Sequence, residues 1–144
     1  MQAIEIRELS VITPDLVQSL ANLVRQLSAP ATLPTRDELE QIIQSPATIL
    51  LVARQSDRVV GMLTLVLFRI PTGMRGIIED VVVDEAHRGQ GIAAALTNVA
   101  LVRAQAAGVR TVDLTSRPSR EAANRLYVKL GFHRRESNVY RFSF

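Results

Sequence analysis

The spacing of apolar residues changes several times along the chain, and each change marks an expected element. Residues 3–7 alternate, with Ile4 and Ile6 on one side, which predicts a short strand. Thr13 then supplies an N-cap and Pro14 a first-turn proline. Leu16, Val17, Leu20, Leu23, Val24 and Leu27 follow at helical spacing up to Ser28. Residues 28–34, rich in proline, threonine and small side chains, read as a loop. Thr35 and Glu38 form a capping box for a short helix through about Gln44, which Pro46 stops. Residues 48–54 predict a strand, 55–58 a turn, 59–70 a third strand, and Pro71-Thr72-Gly73 a further reversal.

Beyond that reversal the pattern is strand, glycines, helix, strand. Residues 77–83 are rich in β-branched side chains suited to a pleated, mostly buried surface. From Ile92 the apolar positions Ala95, Leu96, Val99, Ala100, Val102 and Ala106 recur at helical spacing, and Gly108 is the stop. Residues 109–115 form the next strand, made parallel to the 77–83 strand by the helical crossover between them. A last helix over 119–130 carries Ala122, Ala123, Leu126 and Leu130 on one face and ends at Gly131. Residues 132–135 and 139–144 predict a closing hairpin around Ser137-Asn138. Its apolar terminal strand would offer an edge to a second subunit, so a homodimer is expected. The sum is an α/β (α+β) fold with a mixed central sheet: an antiparallel meander plus one parallel pair.

Composition narrows the function. The 144 residues suit one domain, and 47% hydrophobic residues suffice for a core. No apolar run is long enough to span a bilayer and no signal-peptide pattern opens the chain, so a cytoplasmic protein is expected. The absence of cysteine excludes a disulfide framework, a thiol nucleophile and a thiolate metal site, and two isolated histidines assemble no metal site. Charge divides by halves. Residues 1–86 carry seven arginines against eleven acidic residues, net −4; residues 87–144 carry ten Lys and Arg against three, net +7. A basic C-terminal half suits a ligand bearing several phosphates. The few aromatics form no stacking platform, which argues against nucleic acid.

The candidate chemistry lies where the 77–83 strand meets the following helix. In Arg88-Gly89-Gln90-Gly91-Ile92-Ala93 the glycines let the backbone turn its amides toward one point at the positive end of the helix, forming a pyrophosphate cradle. The run fits Arg/Gln-x-x-Gly-x-Gly/Ala. With the strand before it and Leu126-Tyr127-Val128-Lys129-Leu130-Gly131-Phe132 after it, in that order and separation, the chain resembles the GNAT family of N-acetyltransferases from about residue 3 to residue 132. A dinucleotide fingerprint with Asp113 as the ribose ligand fails on context, because about four residues separate the strand from Gly89 and only one parallel unit is present.

The resemblance implies a sheet of six to seven strands flanked by about four helices, with acetyl-CoA as co-substrate and a primary amine as acceptor. It implies that the two parallel strands splay, giving main-chain groups of Val81 and Val83 to the pantetheine and the Val82 amide to the oxyanion. Arg88, Gly89, Gln90, Gly91, Ile92 and Ala93 would take the pyrophosphate, and Tyr127 would protonate the departing thiolate. Carboxylates inside an apolar strand are costly without a task or a partner, which marks Glu79 and Asp80. Residues 78–83 resemble the corresponding strand of glucosamine-6-phosphate N-acetyltransferases. Glu79 is thus the candidate base and acceptor contact and Asp80 a substrate-binding group, unless both form ion pairs with Arg69 or Arg75. Regular alternation would let only one of the two face the acceptor. The family commonly has an asparagine, contacting the pantetheine, ahead of the last helix's Ala-x-x-Leu-Tyr, where this chain has Arg120, with Ser119 beside it and Asn124 further on. The first two helices and their loop would border the acceptor. A non-catalytic acyl-CoA sensor of the same fold is the alternative function.

Overall fold

Local cap chemistry starts both N-terminal helices. In the computed structural model, which describes residues 2–27 and 32–144, α1 spans Pro14–Val24 and α2 spans Arg36–Gln44. Thr13 Oγ1 accepts from the Leu16 amide at 3.3 Å. Thr35 and Glu38 complete the reciprocal capping box, at 3.2 Å and 3.1 Å. The remaining elements are β1 (Ile4–Glu8), β2 (Thr48–Gln55), β3 (Arg58–Ile70), β4 (Gly73–Val83), α3 (Ile92–Ala106), β5 (Thr111–Asp113) and α4 (Glu121–Lys129), with one 3-10 turn at Glu85–His87 before α3. Much of the loop expected at 28–34, and the expected end of the first helix at Ser28, lie outside the described residues.

The sheet runs β1-β2-β3-β4-β5, antiparallel throughout except for the expected parallel β4–β5 pair. Strand β2 shows why the centre reads as an unbroken apolar run. Ile49, Leu51 and Ala53 pack with Ile92, Leu96, Ala100 and Ala104 of α3, while Leu50 and Val52 pack with Leu20 and Leu23 of α1 and Leu39 of α2. Both sheet faces are covered, so neither parity can be polar. Each fully buried Leu or Ile is worth roughly 1.5–3 kcal/mol relative to exposure, so this double layer supplies most of the stabilisation. Gly61 on β3 sets the spacing to α3: a Cβ there would lie 3.2 Å from Ile92 Cγ2 and 3.3 Å from Leu96 Cδ1. Buried Thr97 satisfies its hydroxyl by donating to the Ala93 carbonyl at 2.7 Å.

Four expectations are corrected. The sheet has five strands rather than six to seven, since residues 132–144 carry no strand. Apolar alternation makes a strand only where a neighbouring edge can take its hydrogen bonds, and β5, expected over 109–115, is three residues long. His133, Arg134, Arg135 and Glu136 are exposed, and Val139, Tyr140 and Phe142 beyond them find no surface to pack on. The last helix is shorter than 119–130, and none of its side chains is fully buried. Strand β4 begins at Gly73, four residues before the expected start, because β3 is long enough to pair with it back to Ile70. No described helix is long and apolar enough to cross a membrane, and no three metal-ligating side chains cluster among the described residues.

Candidate active site

Strand β4 contains a bulge at its acidic pair. Thr64 of β3 faces Glu79 while Met62 faces Val82, so two steps along β3 match three along β4. One residue is extra, and the ladder breaks beside it. Asp80 takes up the turn with φ of 49°, in the left-handed region that short polar side chains tolerate better than bulky ones. Side-chain parity flips across it. Gly76 and Ile78 face the α3 layer, and beyond the bulge so do Val81 and Val83, while Val82 is buried toward α1. Glu79 and Asp80 are consequently both exposed, contrary to the expectation that strand alternation would send one of them under the opposite layer. Among the described residues neither makes an ion pair; Arg75 donates to Thr72 Oγ1 at 3.4 Å instead.

Strand β4 then runs into the glycine loop. Gly89 and Gly91 have φ of 76° and 79°, and no atom lies within 4 Å of a Cβ at either, so conformation rather than space calls for glycine. Gly91 is the N-cap of α3 and gives it no side-chain cap. The first intrahelical bond is Ala95 N to Gly91 O at 3.0 Å, leaving the amides of Ile92, Ala93 and Ala94 directed out of the helix's positive end. Arg88 donates through Nε to the Val83 carbonyl at 3.2 Å, folding its guanidinium back over the end of β4. Left-handed glycines, an uncapped helix start and a nearby arginine fit a pyrophosphate.

The turn before the loop is tied down by a cluster that the sequence does not reveal. Gln26, just beyond α1, donates from Nε2 to Asp84 Oδ1 at 2.9 Å, and the Glu85 amide donates to Gln26 Oε1 at 2.9 Å. His87 Nδ1 lies 2.7 Å from Asp84 Oδ2. The Gln26 hydrogen bond, then that of His87, holds the Asp84 carboxyl below the usual aspartate value. The Asp84–His87 spacing of one turn is a local signal, whereas Gln26 is 58 residues away and has none.

Tyr127 belongs to α4. Its ring meets Phe132 edge to face at 5.6 Å, and burial pushes its phenol pKa up against the opposing effect of Arg120, so the hydroxyl stays protonated at neutral pH. It lines an open cavity of about 1300 Å3 with Leu101 and Ala104 of α3, Val112 of β5, Asn124 and Phe132. Glu79 and residues 88–93 are not in that lining. The structure thus joins Glu79, Asp80, Val81, Val82, Val83 and the loop along one strand–helix junction, and sets Tyr127 in the cavity between α3, β5 and α4. Asn124 spends its amide on the carbonyls of Arg117 and Arg120, both at 2.9 Å, and so serves the start of α4.

A bulged strand delivering its backbone to an uncapped, glycine-led helix agrees with what family comparison finds. The sequence matches the acetyltransferase (GNAT) family over residues 17–132, and the chain belongs to that family. It is an acetyl-CoA-dependent N-acetyltransferase by that membership. Among solved structures, an acetyltransferase of Trypanosoma brucei is 27% identical with a TM-score of 0.80, over 99% of this chain and 100% of that one. Glucosamine-6-phosphate N-acetyltransferase from Arabidopsis thaliana is 20% identical, TM-score 0.82, over 98% and 99%. An aminoglycoside acetyltransferase from an uncultured soil metagenomic sample is 18% identical, TM-score 0.83, over 98% and 95%. The last two likenesses are of fold. No curated protein sequence matches the chain.

Proposed function

We propose that the protein transfers the acetyl group of acetyl-CoA to the primary amine of a small molecule, by direct attack in a ternary complex. The observation that carries this reading is the β4 bulge. It exposes the Glu79 carboxylate a few residues before the main chain of Val81, Val82 and Val83, on a strand that leads straight into the pyrophosphate cradle of Arg88, Gly89, Gln90, Gly91, Ile92 and Ala93. Acetyl-CoA anchored by its diphosphate would lay its thioester back along that strand. Glu79 takes a proton from the ammonium, the free amine attacks the carbonyl carbon, and the oxyanion is held by the Val82 amide. The tetrahedral intermediate then collapses with loss of the C–S bond, the thiolate takes the proton of Tyr127, and the proton shed by the acylated nitrogen passes through solvent to restore the Tyr127 phenol.

An amino sugar is the favoured acceptor. The exposed carboxylates of Glu79 and Asp80 suit a cationic amine, and two fold neighbours are named for amino-sugar substrates. The exposed Val139, Tyr140 and Phe142 near the C-terminus support a homodimer. A thiol-release assay with acetyl-CoA across amino sugars, polyamines and amino acids tests this reading: release with amino sugars supports it, and release confined to another amine class overturns the acceptor assignment. On an accepted amine, Glu79→Gln lowers kcat at least about a hundredfold if Glu79 is the base; unchanged turnover across pH would remove that role.

A further inference from the structure

We propose that Gln26 is a positioning residue for the coenzyme loop, its side-chain amide clamping the turn that precedes the loop onto the end of α1. The proposal rests on the reading of that loop as the pyrophosphate site and assigns to it a residue from a distant part of the chain.

The clamp has two jaws. Gln26 Nε2 donates to the Asp84 carboxylate at 2.9 Å and Gln26 Oε1 accepts from the Glu85 amide at 2.9 Å, so one planar group holds two consecutive residues. The second Nε2 hydrogen reaches the Asn22 carbonyl at 3.4 Å, fixing the amide's orientation from within α1. Other bonds in the turn are shorter in reach: His87 N donates to Asp84 O at 2.8 Å, His87 Nδ1 meets Asp84 Oδ2 at 2.7 Å, and Arg88 folds onto Val83. One backbone bond, Asp84 N to Val60 O at 2.8 Å, ties the turn to β3. Among the described hydrogen bonds Gln26 is the one side chain that connects this turn to a helix on the far side of the sheet. Only Arg88 separates the clamped turn from Gly89. The two left-handed glycines make the loop pliable, so the direction of its amides depends on how firmly its entry is held. A loop fixed in its binding conformation loses less entropy when the ligand arrives.

Gln26→Met keeps the length and the apolar stem but removes both jaws. Gln26→Glu keeps an acceptor for the Glu85 amide and places a second carboxylate against Asp84. Calorimetry with CoA, from about pH 5 to pH 8, and steady-state kinetics on the wild type and both variants make the test. Gln26→Met is expected to weaken CoA about tenfold and raise the acetyl-CoA KM similarly, with kcat at saturating coenzyme changed less than about twofold. Gln26→Glu is expected to be weakest at the alkaline end and to recover relative to wild type as pH falls, because two carboxylates sharing one proton regain a hydrogen bond. His87 on the same turn and Arg58 at the start of β3 also act on Asp84, with Glu85 next to it in the chain, and the ratio to wild type at each pH corrects for them. Asn22→Ala, at the same end of α1, should leave CoA affinity unchanged. Wild-type affinity in Gln26→Met, a Gln26→Glu ratio flat with pH, or an equal loss in Asn22→Ala would each overturn the clamp. Wild-type protein that takes up no CoA would overturn the acetyl-transfer reading, and the clamp with it.

Discussion

The chain up to Ala104 and the chain after it are built differently. In the first part a central sheet is covered on both faces, with Val52, Leu63, Leu65 and Leu96 wholly excluded from solvent. After Ala104 no side chain is fully buried, β5 is three residues long, and Val139, Tyr140 and Phe142 are exposed. The two parts also carry different shares of the chemistry. Glu79, the main chain of residues 81–83 and the glycine loop belong to the tightly packed part, whereas Tyr127 lies on a helix that leans over an open cavity. On the proposed reading, grip on the coenzyme belongs to the well-packed layer and proton delivery to the loosely packed one. Local opening is expected to start at the C-terminal part, where apolar burial is least.

The difference can be broken or sharpened by substitution. Leu63→Ala, at a position with no exposure in the middle of β3, should cost about 2–5 kcal/mol by denaturant unfolding. Gly91→Val places a β-branched residue where φ is 79° and should weaken CoA on the order of a hundredfold by calorimetry, through backbone strain and lost amide direction. Tyr127→Phe should lower kcat about tenfold or more with CoA affinity nearly intact; an equal loss of both would make the ring a packing group. Val128→Ala, 65% exposed on the same helix, should change stability by less than about 0.5 kcal/mol, and a cost above about 1 kcal/mol, as seen for buried side chains, would show the C-terminal part to be tightly packed.

What could be read from the sequence follows from how local each cause is. Thr13, the Thr35–Glu38 pair, the turn at Ser56 and the glycines before α3 act on their immediate neighbours, and they stand where expected. The parallel β4–β5 pair was legible from handedness and the helical crossover. Three features were not. The bulge depends on how β4 registers against β3, and no property of Glu79 or Asp80 alone announces an extra residue. Residues 132–144 carry a strand-like alternation, but a strand needs a partner edge, and alternation is silent about that. Gln26 reads as one more polar residue at the end of a helix, and its partners are 58 and 59 residues further on.

Gly61 ties β3 to the start of α3. Its missing side chain lets Ile92, the first residue of α3, settle against the sheet. A methyl at this position would press on Ile92 and on the Val82 carbonyl oxygen at 3.2 Å, and those neighbours would have to yield by a few tenths of an ångström. The seating of the proposed diphosphate site is therefore open to adjustment from β3, a strand on which none of its proposed residues lies.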